Sequence, residues 1–378
     1  MRQREDKRGG KIRLKDISGR LGVSAVSVHR ALSGKSGVSE SLREKVIRTA
    51  DEMGYIRNYA AASMKKGISR IGIVLPRDHG TLNLYFNYLW LGISDSAEEL
   101  RYLNIETERL ICEDEREQER ILEKLLHSES GEYAGLITFF FTRNERIFDL
   151  VRRISGTGVS VLVIDDDPEE LSDVSCIPSN ETISGAVAAD FVSLVAAENS
   201  SVLLSSGRLD SAVHERKRES FIAALRERRP DLREEIIEGY SRERESNVPL
   251  CENMAKRLRE KGEVSAVYAL TSHDNRAIVE AIEKSGRRRQ IRLLGTDLNE
   301  ESILLLRQGR MDAVIDQAAY QKGYRAFQLI SDQIMKCLPG RRCSPQPIDI
   351  VMKANLDFHT PWRLREQEDI GGRMLRRE

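Results

Sequence analysis

Residues 24–34 carry side chains whose spacing puts recognition chemistry on one surface. Val26, His29, Arg30 and Ser33 recur at i, i+3, i+4 and i+7, so on a helix they share a face, while Val28, Ala31 and Leu32 share the other. A helix with an apolar docking side and an outward guanidinium has what reading base edges in a duplex major groove requires. An ordinary helical hairpin would show the same periodicity. The adjacent Asp165 and Asp166 are an acidic pair that could serve catalysis, but no glycine-rich phosphate loop, G-x-S-x-G or cluster of metal ligands accompanies them. Five cysteines (Cys112, Cys176, Cys251, Cys337 and Cys343) are scattered, and the close pair Cys337 and Cys343 lacks a histidine at ligand spacing. They read as reduced, mostly buried thiols, and neither metal nor cofactor is expected.

The elements that must position these groups follow from the local pattern. Leu14, Ile17 and Leu21 form a short periodic stretch broken by Gly22, which suits a tight inter-helix turn, and Ser24 can cap the next helix. Ser39 reads as another N-cap with Glu40 at the positive end of the dipole; Leu42, Val46, Ala50 and Met53 then line one face, and Gly54 suits the stop. Three helices therefore make a small all-α headpiece over 11–57, behind a basic lead at 1–10 expected to be disordered. Residues 58–67 contain NYAAASMKK, helix-competent but too short to be stable alone, and so a candidate for ordering on a partner.

From Ser69 the pattern changes to short β-branched runs alternating with amphipathic helices. The runs include Arg70–Pro76, Ala134–Phe140, Val159–Asp165, Ser201–Ser206, Ser265–Leu270, Ile291–Thr296 and Ala313–Asp316. Such alternation predicts parallel sheets with right-handed crossovers, and the number of strands suits two doubly wound lobes, with ligands at the carboxyl ends of the strands. The body is expected over 68–360: one lobe about 68–178 and 319–346, the other about 179–318 and 347–360. Cys343–Ile350 should cross between lobes, and 361–378 is a charged tail.

The 378 residues carry 60 basic and 60 acidic side chains, but the balance is polarised. Residues 1–66 hold 16 Lys and Arg against 7 Asp and Glu, a net +9, and the remainder holds 44 against 53, a net −9. A basic head on an acidic body suits a polyanion partner at the head only. No apolar run reaches the roughly 20 residues of a membrane span, and MRQREDKRGG has no signal-peptide core, so a cytoplasmic protein without a membrane partner is expected.

The head resembles the LacI/GalR family of transcriptional regulators. The family pattern G-V-S-x-x-T-V-S-R-V-L-N-G is similar to Gly22-Val23-Ser24-Ala25-Val26-Ser27-Val28-His29-Arg30-Ala31-Leu32-Ser33-Gly34, and V-S-x-x-x-R-x-x-V corresponds to Val38, Ser39, Arg43 and Val46. The hinge start G-Y-x-P-N appears as Gly54-Tyr55-Ile56-Arg57-Asn58, with Arg57 replacing the usual proline. The resemblance covers 14–67 closely and about 69–358 more loosely. It implies a helix-turn-helix DNA-binding domain, a hinge helix over 58–67, and a two-lobed body like that of periplasmic binding proteins.

For DNA, the resemblance places Ala25, Val26 and Arg30 at base edges, Ser24, Ser27 and His29 on phosphates or the groove edge, Asn58 at the hinge start, and Met64 as a minor-groove wedge. Arg57, and Ala62 in place of a polar residue, imply a hinge that orders less readily. For the effector, Asn83-Leu84-Tyr85-Phe86 resembles N-P-F-F, Lys217 stands at the ligand-binding arginine position beside Arg216, and His273-Asp274 occupies an N-D position. Asp165, Asp297 and Gln317 complete the set. Aromatic faces, carboxylate acceptors and cationic donors suit a hydroxylated small molecule such as a sugar. The implied protein is a homodimeric, effector-controlled repressor on a palindromic operator of double-stranded DNA. A protein co-regulator, or an enzyme using the α/β cleft, are the alternatives.

Overall fold

The computed structural model describes residues 12–32, 36–53, 55, 68–77, 84–129, 131–142, 144–207, 209, 212–239, 248–260 and 263–360. The expected hinge helix with Asn58 and Met64, the basic lead, Asn83 and the tail 361–378 lie outside the described residues.

The head is three helices, α1 (Leu14–Leu21), α2 (Ala25–Leu32) and α3 (Glu40–Glu52). Ile17, Val28, Ala31, Val46 and Ala50 meet in its core. Gly22 turns the chain at φ 65°, and its N–H donates to Ser18 O. Ser24 Oγ accepts the Ser27 N–H at 3.0 Å, and Ser39 Oγ accepts that of Leu42 at 3.4 Å, the two caps the sequence signalled. Arg43 Nη1 donates to Ala31 O at 3.2 Å, placing a cation on the carbonyl end of α2.

The first lobe runs β1 (Ser69–Leu75), α4 (Leu84–Glu99), β2 (Ile105–Ile111), α5 (Glu115–Leu126), β3 (Gly135–Thr138), α6 (Glu145–Gly156), β4 (Ser160–Ile164) and β5 (Ser175–Ile177). Its sheet has the order β2-β1-β3-β4-β5, all parallel. The second lobe runs α7 (Glu181–Val195), β6 (Ser201–Ser205), α8 (Ala212–Arg228), β7 (Arg233–Ile237), α9 (Val248–Glu260), β8 (Val264–Tyr268), α10 (Asn275–Lys284), β9 (Arg292–Thr296), α11 (Glu300–Arg307) and β10 (Ala313–Asp316). The chain then returns through α12 (Ala319–Lys336), which packs on α4, β3 and β4, and crosses again to β11 (Asp349–Val351) and α13 (Leu356–His359). The second sheet has the order β11-β10-β9-β8-β6-β7.

β11 runs antiparallel to β10, a departure from the all-parallel expectation. The helix between them, α12, packs on the first lobe, so no crossover helix covers the second sheet between β10 and β11 as a parallel return would need. Neighbouring residues of the second sheet alternate between two cores: Leu203 and Val267 face one, Val202, Leu204 and Tyr268 the other. Burial on both faces explains why these strands read as continuous apolar runs. Side chains of Asp114, Asn144, Asn180 and Asn299 cap α5, α6, α7 and α11, so strand-to-helix turns are fixed locally.

In the first lobe α4 and α12 cross backbone to backbone. A Cβ on Gly92 would lie 2.0 Å from Tyr320 O, and one on Gly323 would lie 2.0 Å from Leu89 O. Only glycine permits that approach, which brings the first turns of both helices to the end of the sheet that faces the second lobe.

Candidate nucleic-acid interface and ligand cleft

On α2 the expected division holds. Val28 and Ala31 are buried, while Ala25, Val26, His29 and Arg30 are exposed together, Val26 at 62%. Ser27 is half-buried, with its Oγ 2.9 Å from Ser24 Oγ. The Arg30 guanidinium lies along Gly37, where the Nη1 position is 3.0 Å from a Cβ that the glycine lacks. An exposed apolar pair beside a long cation and a histidine can meet methyl groups, base acceptors and phosphates at one surface.

At the facing ends of the sheets the side chains form two polar triads, one per lobe. In the first, Tyr85 Oη donates to Asp165 Oδ2 at 2.6 Å, and Lys322 Nζ donates to Asp165 Oδ1 at 2.6 Å and to Tyr85 Oη at 3.1 Å. In the second, Lys217 Nζ donates to Gln317 Oε1 at 2.9 Å, and Gln317 Nε2 donates to Asp297 Oδ1 at 2.5 Å. Asp165 follows β4 and Asp297 follows β9. Both adopt left-handed backbone, φ 65° and 60°, and each N–H donates to the end of the neighbouring strand, Ile177 O and Ile315 O, at 2.8 Å.

The lobes face one another closely enough for charge to act across the gap. Burial raises the Tyr85 pKa well above its usual value, helped by its bond to Asp165 and by Asp297 and Glu181 of the opposite lobe. Burial lowers that of Lys217; Asp297 and Glu181 oppose the shift, and Lys322 of the other lobe adds to it. Phe86 is half-buried and packs edge-on against Tyr85 and Phe139, with ring centroids 5.4 and 5.0 Å apart. These rings give the first lobe an apolar wall.

Of the residues named from the sequence, Tyr85, Phe86 and Asp165 lie together in the first lobe and Lys217, Asp297 and Gln317 in the second. Arg216 does not join them: it is half-exposed, and its guanidinium is 3.9 Å from Glu181 at the start of α7. His273 is half-buried and Asp274 fully buried in the turn Ser272–Asp274, which abuts α4 across the gap. Lys322 and Glu181 were missed from sequence. Lys322 had a signal, since it sits with Ala319, Gly323, Ala326 and Phe327 on the buried stripe of α12.

All five cysteines are free thiols, three of them buried. Among the described residues no group of three acidic, histidine or cysteine side chains is placed to hold a metal, and no helix is long and apolar enough to cross a membrane.

Comparison with known proteins adds the following. Residues 13–58 match the family model described as bacterial regulatory proteins, lacI family, and residues 71–336 match the periplasmic binding protein domain. The uncharacterized HTH-type transcriptional regulator YkvZ of Bacillus subtilis is 41% identical over 88 residues, 23% of this chain and only 26% of that protein. Catabolite control protein A of Priestia megaterium is 22% identical over 326 residues, 85% of this chain and 92% of that one. Among solved structures, GanP, a glucose-galactose binding protein from Geobacillus stearothermophilus, superposes with a TM-score of 0.59 at 20% identity, covering 76% of this chain and 99% of its own.

Proposed function

Since the chain belongs to the lacI family of bacterial regulatory proteins, a DNA-binding transcriptional regulator with a periplasmic-binding-protein domain, we propose that it is a cytoplasmic, homodimeric repressor controlled by a small molecule. The dimer would bind a palindromic operator, one head per half-site, because two-fold symmetry in the protein demands it in the site. The observation that carries this reading is the outward face of α2, where Ala25, Val26, His29 and Arg30 stand exposed over a docked apolar side.

The effector would lie between the triads of Asp165 and Asp297, against Tyr85 and Phe86. A sugar-like molecule is supported by the aromatic wall and polar strand ends, and by the sugar named for the structural neighbour GanP. Both oxygens of Asp165 are already engaged, which supports binding over catalysis. Closing the lobes on a ligand would turn them about the three crossovers, after β5, after β10 and before β11. The change would reach the heads as a coupling free energy of about 1–3 kcal/mol.

The test is selection of bound sequences from a random duplex pool at fixed salt, with and without candidate sugars. Enrichment of a palindrome is expected, with recovery altered by one of the sugars. Failure to enrich any site under either condition would overturn the operator reading.

A further inference from the structure

Two lysines are buried in the cleft, Lys322 from the first lobe and Lys217 from the second, each 3% exposed. Lys322 is charge-compensated inside its own lobe by Asp165. Lys217 is not. Among the described residues its ammonium makes a single hydrogen bond, to the neutral amide oxygen of Gln317, which leaves two N–H donors without a protein acceptor.

The surrounding carboxylates are otherwise engaged. Asp165 gives its oxygens to Tyr85 and Lys322, Asp297 gives Oδ1 to Gln317, and Glu181 holds Ser179 and faces Arg216. A buried ammonium without a hydrogen-bonded counter-charge is costly; Asp297, Glu181 and Asp165 offset part of that cost from a distance, and Lys322 across the gap adds to it. A ligand hydroxyl could accept from Lys217 but would bring no counter-charge into contact with it; an oxyanion would supply both acceptor and contact charge. Asp297 Oδ2 has no hydrogen bond among the described residues and is placed to accept from a hydroxyl.

We propose that the cleft takes an anionic, hydroxylated small molecule, whose carboxylate or phosphate group is bound by Lys217 and whose hydroxyl donates to Asp297. The proposal rests on the effector reading of the same cleft and narrows it from sugars in general to acidic ones. Ligand and lysine then form a direct ion pair between the lobes, so closure buries a contact pair in place of an ammonium bonded to one neutral amide.

The experiment is a thermal-stability titration of the full chain with D-glucose, D-gluconate, glucose 6-phosphate and inorganic phosphate, at ionic strength matched with sodium chloride. It is run on the wild type, Lys217→Met and Lys217→Arg; the unliganded melt of each variant reports whether it folds. The wild type is expected to show saturable stabilisation by at least one of the anions. That response should be weakened about tenfold or more in apparent affinity by Lys217→Met and largely kept by Lys217→Arg. Gluconate and glucose 6-phosphate distinguish a carboxylate head group from a phosphate. An identical anion response in wild type and Lys217→Met overturns the proposal, and so does D-glucose acting as strongly as the anions. If glucose alone stabilises, the anion inference falls and the effector cleft stands. If no compound acts while operator selection succeeds, both fall.

Discussion

Asp316, at the end of β10 where the chain crosses back to the first lobe, is a residue whose charge works against the fold. Burial pushes its carboxyl from 3.8 up to about 7; the Ala318 N–H and Lys322 oppose the shift, and Asp297 and Asp349 add to it. A carboxyl held up in this way binds its proton more tightly folded than unfolded. Stability is therefore lost as pH rises between about 4 and 7, and the loss is complete above that window. Asp316→Asn can keep the acceptor for the Ala318 N–H, 3.0 Å away, and remove the charge. Urea unfolding should show little change near pH 4 and a gain of about 1–4 kcal/mol near pH 8. At the other end of the chain, Arg30→Ala should remove about 1–3 kcal/mol of discrimination between operator and random duplex while the melt of the body is unchanged. Competition binding measures it, and unaltered preference would remove Arg30 from the base contacts. Arg30, Lys217 and Gln317 were legible because each stands in a recognisable run with a turn or strand end beside it. Lys322 was passed over although its spacing from Ala319, Gly323, Ala326 and Phe327 puts it on the apolar stripe of α12, because a lysine in a helix is ordinarily read as solvent-facing.

Elements were legible where their pattern reported burial. Runs such as Ser201–Ser205 are buried throughout and read as strands directly. β2 (IETERLI) and β7 (REEII) lie at the outer edge of their sheets, half-exposed, and their charges hide the period of two. α6 buries Ile147, Phe148, Leu150, Val151 and Ile154, an apolar stripe at helical spacing. The crossing of α4 and α12 yields a test at this scale. Gly323→Ala would drive a methyl to 2.0 Å from Leu89 O, so the helices must part, costing about 1–3 kcal/mol or more; thermal unfolding should show it. Because the same crossing sets Tyr85 beside Lys322, the variant should also weaken ligand stabilisation. In the head, Ser24→Ala removes the acceptor of the Ser27 N–H and should cost about 1 kcal/mol, seen as faster amide exchange in α2 with the body unaffected.

The whole molecule divides its charge as it divides its labour, with a net +9 in residues 1–66 and −9 beyond. DNA affinity should therefore fall steeply with salt while ligand stabilisation of the body barely follows it, a contrast that two titrations of one preparation would display. What belongs to the molecule as a whole was least visible in the sequence. Two lobes could be counted from strand–helix alternation, but not that their strand ends would meet as paired triads, nor that β11 would reverse direction. Those triads also set how the cleft can be changed. Asp165 and Asp297 occupy left-handed backbone, which tolerates aspartate, asparagine and glycine and penalises branched side chains. The mutational landscape for a biosensor built on this scaffold is thus uneven. Tyr85, Lys217 and Lys322 sit on helices, and libraries there meet no such backbone limit beyond the exclusion of proline, whereas at 165 and 297 the choice narrows to three letters, and new specificities must be sought mainly along the helices.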